Sequence, residues 1–162
     1  MGVKVDFKAV RERLSKFGKE LKKINIAVYV DGPNILRKEL GIDLKDVKKA
    51  IEQFGRIKIG KVFLNQYASN KLLEAVVNQG FETVITVGDV DVSMAAEAVE
   101  CIFNSHIQAI AFVTRDSDFT PAIVKAKRYG KETIVVLADP QSAAALKNNA
   151  DHVISLGATR KG

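Results

Sequence analysis

The sequence predicts a three-layer α/β sandwich of the doubly wound, Rossmann-like kind, built on a parallel sheet. Apolar, β-branched runs at 26–30, 83–87 and 109–113 are too short for helices and too continuous for half-exposed strands, so they read as strands buried on both faces. Stretches with helical patterning alternate with strand-like runs along the chain, which is the signature of parallel strands joined by crossover helices. Gly41, Gly55, Gly80 and Gly130 mostly stand where one element hands over to the next, as helix-terminating glycines should.

Taken in order, Val3, Phe7, Val10, Leu14, Phe17, Leu21 and Ile24 alternate spacings of four and three and predict an amphipathic helix with an apolar seam. Gly18 weakens it by about 1 kcal/mol. The seam needs a partner, either the body of the domain or a second copy in a homodimer. It lacks Trp and its polar face mixes both charges, which argues against a membrane-surface helix. Strands are then expected at 24–31, 57–65, 81–87, 109–115 and 132–138, with a short one at 152–156. Helices are expected at 43–54, 69–79, 91–104, 120–129 and 141–149. No linker, repeat or low-complexity tract interrupts the pattern. The predicted organisation is a basic helical extension at 1–23, one α/β domain at 24–157 and a basic tail at 158–162.

A chain of 162 residues, 47% hydrophobic and 27% charged, is ordinary for a globular protein with a substantial core. No apolar stretch approaches the roughly 18 residues of a membrane span and the N-terminus lacks a secretory h-region, so a cytoplasmic protein with no membrane partner is expected. The lone cysteine, Cys101, falls in an apolar helical pattern and reads as core; His106 and His152 stand alone and read as structural or solvated. Of the net charge of +6, residues 1–23 carry +5. A basic arm on a near-neutral body suits a polyanionic partner.

Carboxylates end three of the apolar runs: Asp31 after IAVYV, Asp89 and Asp91 after VITVG, and Asp116 and Asp118 after AIAFVTR. In an open parallel sheet the crevice for chemistry lies beyond the carboxyl ends of the strands, so these acids are placed to converge. Gathering them costs repulsion and desolvation unless a cation neutralises them, and an all-oxygen donor set favours Mg²⁺ or Mn²⁺. Each acid also has a plainer explanation as a helix cap. Asp91 fits one, at the start of a helix whose apolar face would be Val92, Ala95, Ala96, Val99, Ile102 and Phe103. For DSDFTP the cap is better assigned to Thr120 with Pro121 following, which leaves Asp116 and Asp118 without a capping role. Asp31 lacks one too, since the next good helix begins near Asp43. Glu97 shares the polar face of its helix with Ser93, Glu100 and Asn104 and by periodicity reads as solvated. Arg37, Lys38 and Arg115 lie near the predicted mouth, where they suit a phosphate backbone; Arg37 and Lys38 equally suit solvated surface. There is no Walker loop, Rossmann glycine fingerprint, nucleophile-elbow serine or zinc-ligand cluster, and Pro33 occupies the position where an aspartyl phosphatase needs its second acid.

The blocks VDGPN, VDVSMAAEA and TRDSDFTP, in that order, resemble those of NYN domains, a branch of the PIN-like nucleases that includes the LabA-like proteins. The resemblance covers roughly residues 24–156. It implies a PIN-like sheet ordered third, second, first, fourth, fifth strand, with the acidic site between the ends of the first and fourth. It also implies an RNA substrate and a metal-dependent ribonuclease, with a non-catalytic RNA-binding or assembly module as the alternative. By position, the family's acids fall on Asp31, Asp91, Asp116 and Asp118, its companion asparagine on Asn34 and a further acid on Glu97. Asp31, Asp91, Asp116 and Asp118 would hold one or two ions, with Glu97 as a further ligand and Asn34 orienting water or a phosphate oxygen. Two departures stand out: Arg115 replaces the usual glycine, and Gly88 with Asp89 stands where a lysine and a small residue often precede VDV.

Overall fold

The computed structural model describes residues 6–21, 24–36, 40–138 and 143–156. The strands are β1 (Asn25–Asp31), β2 (Arg56–Asn65), β3 (Glu82–Thr86), β4 (Ala109–Val113), β5 (Glu132–Leu137) and β6 (His152–Ser155). The α-helices are α1 (Phe7–Leu21), α2 (Gly32–Ile35), α3 (Leu44–Ile51), α4 (Asn70–Asn78), α5 (Val90–Cys101), α6 (Thr120–Arg128) and α7 (Ala144–Asn149). All strand pairings are parallel and the sheet order is β3-β2-β1-β4-β5-β6. This is the expected order, extended by β6 at one edge. β6 is pinned to β5 where Thr133 donates its amide and its hydroxyl to Asp151 Oδ2, each at 2.9 Å.

The alternation of β1 divides the core into two layers. Ala27 and Tyr29 pack with Met94 and Ala98 of α5, Ile123 of α6, Leu146 of α7 and Phe119 just before α6, while Ile26, Val28 and Val30 pack with Val47 and Ile51 of α3 and Val76 of α4. Residues 26–31 are all buried, as a central strand covered on both faces requires.

Several expectations are corrected. A four-residue helix, α2, follows β1 at once, where the sequence suggested no helix before Asp43. It packs on the end of β2 so closely that a Cβ on Gly32 would lie 2.5 Å from the Phe63 carbonyl oxygen. The buried stripe of α5 is Val90, Met94, Ala98 and Cys101, whereas Val92 and Phe103 of the expected face are 67% and 69% exposed. Both stripes have helical spacing, so periodicity alone did not separate them. Of the seam residues whose side chains are described, Phe7 is 74% and Val10 40% exposed, while Ile24, beyond the end of α1, packs against the core. Cys101 is buried, as expected.

Candidate metal centre

β1 and β4 run side by side with Val30 abreast of Val113, so the next residues, Asp31 and Thr114, are neighbours at the carboxyl edge. Both are buried, Asp31 at 1% exposure. Asp31 Oδ2 accepts from the Thr114 hydroxyl at 3.1 Å and from Asn34 Nδ2 at 2.7 Å. The Thr114 hydroxyl in turn accepts from the Asp116 amide at 3.0 Å. Asp31 is thus held from two directions, by α2 folding back over the strand end and by the loop leaving β4. Burial raises its pKa, the hydrogen bonds from Asn34 and Thr114 pull it back, and the nearby Asp116 charge pushes it up again.

Asp91, Asp116 and Asp118 each present a carboxylate oxygen within 4.8 Å of the others, the spacing of ligands around one cation. Asp91 comes from the first turn of α5, while Asp116 and Asp118 come from the loop and 3₁₀ turn (Ser117–Phe119) that follow β4. Asp91 has its pKa pushed up to about 7 by burial first, then by a hydrogen bond with Asp116 and by the negative charges of Asp31, Asp116 and Asp89. Asp31 is therefore close enough to act on both Asp91 and Asp116.

Capping is distributed differently from the sequence expectation. Asp89 caps α5 by accepting from the Asp91 amide at 3.0 Å, so the Asp91 carboxylate is spared that task. Asp116 does cap, accepting from the Asp118 amide at 2.8 Å. Thr120 does not cap α6: its hydroxyl donates to the Ser117 carbonyl at 2.6 Å, because the 3₁₀ turn runs directly into the helix and moves the start one turn earlier.

Glu97 lies apart from the three-acid group. Six residues separate it from Asp91, which on a helix means about 9 Å along the axis and about 120° around it. Asp91 consequently flanks the buried stripe on the side of Asp116, and Glu97 flanks it on the side of β2, paired with Lys61 at 2.9 Å. The pair borders a pocket of about 190 Å³ lined also by Tyr29, Ile59, Glu100, Cys101 and Asn104. The hydrogen bond to Glu97 raises the Lys61 pKa, and burial raises that of Tyr29. Arg115 is half-buried and its Nε has no hydrogen-bond partner. Arg37 and Lys38 lie outside the described residues.

Sequence reasoning missed Thr114 and Lys61. Thr114 had a signal, a hydroxyl ending an otherwise apolar run two residues before Asp116; Lys61 had none, since its partner is 36 residues away.

The donor set fits a hard divalent cation: oxygen ligands only, drawn from three carboxylates, one of them held at elevated pKa by burial and by neighbouring negative charge that a cation would offset. Among the described residues, no helix is long and apolar enough to cross a membrane.

Comparisons with known proteins bear on the same region. The chain is 58% identical over 132 residues to the uncharacterized protein MJ0482 of Methanocaldococcus jannaschii, a match covering 82% of this chain and 55% of that protein. The chain thus spans about half the length of this curated relative. A crystal structure of a protein of unknown function, VPA0982 from Vibrio parahaemolyticus, superposes with a TM-score of 0.72 over 83% of this chain and 94% of that one, at 22% identity, which speaks to the fold alone. Residues 25–157 match the model of the NYN domain, whose fold is the PIN-like nuclease fold, and with four-fifths of its length inside that match the chain belongs to the NYN domain family.

Proposed function

We propose that this protein is a metal-dependent ribonuclease that hydrolyses RNA phosphodiester bonds, as an endonuclease, at the carboxyl edge of the sheet. The observation that carries the proposal is the gathering of Asp91, Asp116 and Asp118 beside the buried Asp31, on a fold shared with PIN-like nucleases. These four carboxylates would hold Mg²⁺ or Mn²⁺. When bound, the ion supplies Lewis acidity, lowering the pKa of an attacking water and stabilising the leaving oxygen. Asp31, fixed by Asn34 and Thr114, presents its carboxylate without reorganisation. Asn34 would orient the water or a phosphate oxygen. Arg115 brings an unpaired buried Nε donor next to Asp116, which supports a role in holding the substrate phosphate. Arg37, Lys38 and the basic residues of the N-terminal arm add phosphate contacts. Glu97, engaged by Lys61, is left outside this set.

The test is cleavage of single-stranded and hairpin RNAs in Mn²⁺, Mg²⁺ and EDTA, with Asp116→Asn beside the wild type. Cleavage that needs the metal and disappears in the variant, with the fold intact, is the expected result. Cleavage by a highly purified Asp116→Asn protein would exclude this site. Arg115, next to Asp116 in sequence, suggests one alternative, a non-catalytic RNA-binding module in which a guanidinium would partly neutralise the acids. Such a module would hold RNA in EDTA and cleave none in any metal.

A further inference from the structure

Among the described residues, helices α5 and α1 both carry exposed apolar side chains at helical spacing. Along α5, Val92 and Ala96 are exposed, Val99 is half-buried with part of its side chain against the core, and Phe103, just past the helix end, is 69% exposed. These residues follow one another at spacings of four, three and four, so they form one line up the outer face of the helix. Phe103 extends the line sideways through an edge-on contact with the exposed Tyr129, ring centroids 5.6 Å apart. The second stripe is the seam of α1, where Phe7 is 74% and Val10 40% exposed and Leu14, Phe17 and Leu21 continue the periodicity in sequence.

The two stripes match in length and oppose in charge. At 1.5 Å per residue, the 15 residues of α1 extend about 22 Å, and the line from Val92 to Phe103 about 17 Å. Beside the outer line of α5 stand the exposed Glu100 and, at the start of the helix, the exposed Asp89, and residues 89–101 contain no lysine or arginine. Helix α1 contains Lys8, Arg11, Arg13, Lys16 and Lys19 against Glu12 and Glu20. An apolar contact flanked by opposite charges is favourable and orients the partners.

The connection to β1 decides which copy supplies the helix. Helix α5 forms the layer directly over the sheet, so a helix on its outer face lies about 18–20 Å from the strands, one helix diameter plus one helix–helix spacing. From Leu21, the last residue of α1, to Asn25, the first of β1, there are four Cα steps, which span at most about 14 Å. A chain cannot lay its own α1 along its own α5 without unwinding the end of the helix. We infer that α1 of one copy docks on the outer stripe of α5 of a second copy, and that two copies exchange these arms reciprocally in a two-fold dimer. The exchange makes the same contact twice.

The experiment is sedimentation of the full-length chain, free of nucleic acid, as wild type, as Phe7→Asp, as the double variant Val92→Glu/Ala96→Glu, and as an equal mixture of the two variants. The substituted side chains are exposed, so circular dichroism should match the wild type, and so should the melting temperature at concentrations low enough for every form to be monomeric. Expected are a wild-type dimer and two variants whose dissociation constants rise at least about a hundredfold, each having placed unpaired carboxylates in a dry contact. The mixture should recover dimers, because the Phe7→Asp copy keeps a sound stripe and the double variant keeps a sound arm. A wild type that stays monomeric at high micromolar concentration overturns the inference. So does a dimer that survives Val92→Glu/Ala96→Glu, which would point to arms coiling on each other or to another face.

Discussion

Replacing Asp91 by asparagine should make the metal-free protein more stable at pH 8 while removing its affinity for divalent cations. The Asp91 carboxyl has an ordinary value of 3.8 and is pushed up to about 7 in the fold, by burial first and then by Asp116, Asp31 and Asp89. Because the folded pKa is the higher one, the stability linked to its proton is fully present below the unfolded value. It is lost as the pH rises through the folded value. At 1.36 kcal/mol per pH unit the loss is at most about 4 kcal/mol, and for a side chain still partly open to water about half of that, about 2 kcal/mol, is the working figure. For a chain of this size that corresponds to a melting temperature about 5 °C higher for Asp91→Asn in EDTA at pH 8. The advantage should vanish near pH 4, where the wild-type carboxyl is already protonated in the fold. In Mn²⁺ the order should invert, since ligand at a hundred times its dissociation constant adds about 2.7 kcal/mol to the protein that binds it. Thermal melts at pH 4 and pH 8, with EDTA and with Mn²⁺, measure all four quantities. An Asp91→Asn protein less stable than wild type in EDTA at pH 8 would refute the reasoning, as would an advantage that persists undiminished at pH 4.

Thr114→Val keeps the shape of a buried side chain but strands the Asp116 amide and removes a donor to Asp31; melts should show a loss of about 1–3 kcal/mol. Calorimetric titration of the same variant with Mn²⁺ should show affinity about 10–100-fold weaker, as for other residues that orient a ligand. Gly32→Ala forces α2 away from the Phe63 carbonyl, which should cost about 1–3 kcal/mol and loosen the hold of Asn34 on Asp31, visible as a lower melting temperature and weaker Mn²⁺ binding. Glu97→Gln should leave Mn²⁺ affinity within about twofold of wild type, because its side chain is paired with Lys61 and neither joins the three-acid group nor orients a member of it; a tenfold loss in the same titration would place Glu97 among the ligands.

The strands were legible because the central ones are buried on both faces, which forces unbroken apolar runs such as IAVYV and AIAFV. The acids were legible because a parallel sheet collects strand ends along one edge. What failed was local. Asp116 and Thr120 exchanged their expected capping roles because a 3₁₀ turn of three residues, too short to leave a periodic trace, precedes α6. Helix α2 escaped notice for the same reason, at four residues. Glu97 could be placed by helix geometry opposite Asp91, but its pairing with Lys61 depends on which strand lies beneath that flank.

By itself, then, the amino-acid pattern determined the fold class, the strand positions and the aspartates at the strand ends, since each follows from burial and from the direction of neighbouring strands. Tertiary structure alone decided which of two apolar stripes α5 buries, because both repeat with the period of a helix and only the shape of the sheet beneath selects between them. It also decided that Thr114 ties Asp116 to Asp31. That link runs between strands 83 residues apart, and no local pattern encodes a contact made across such a distance.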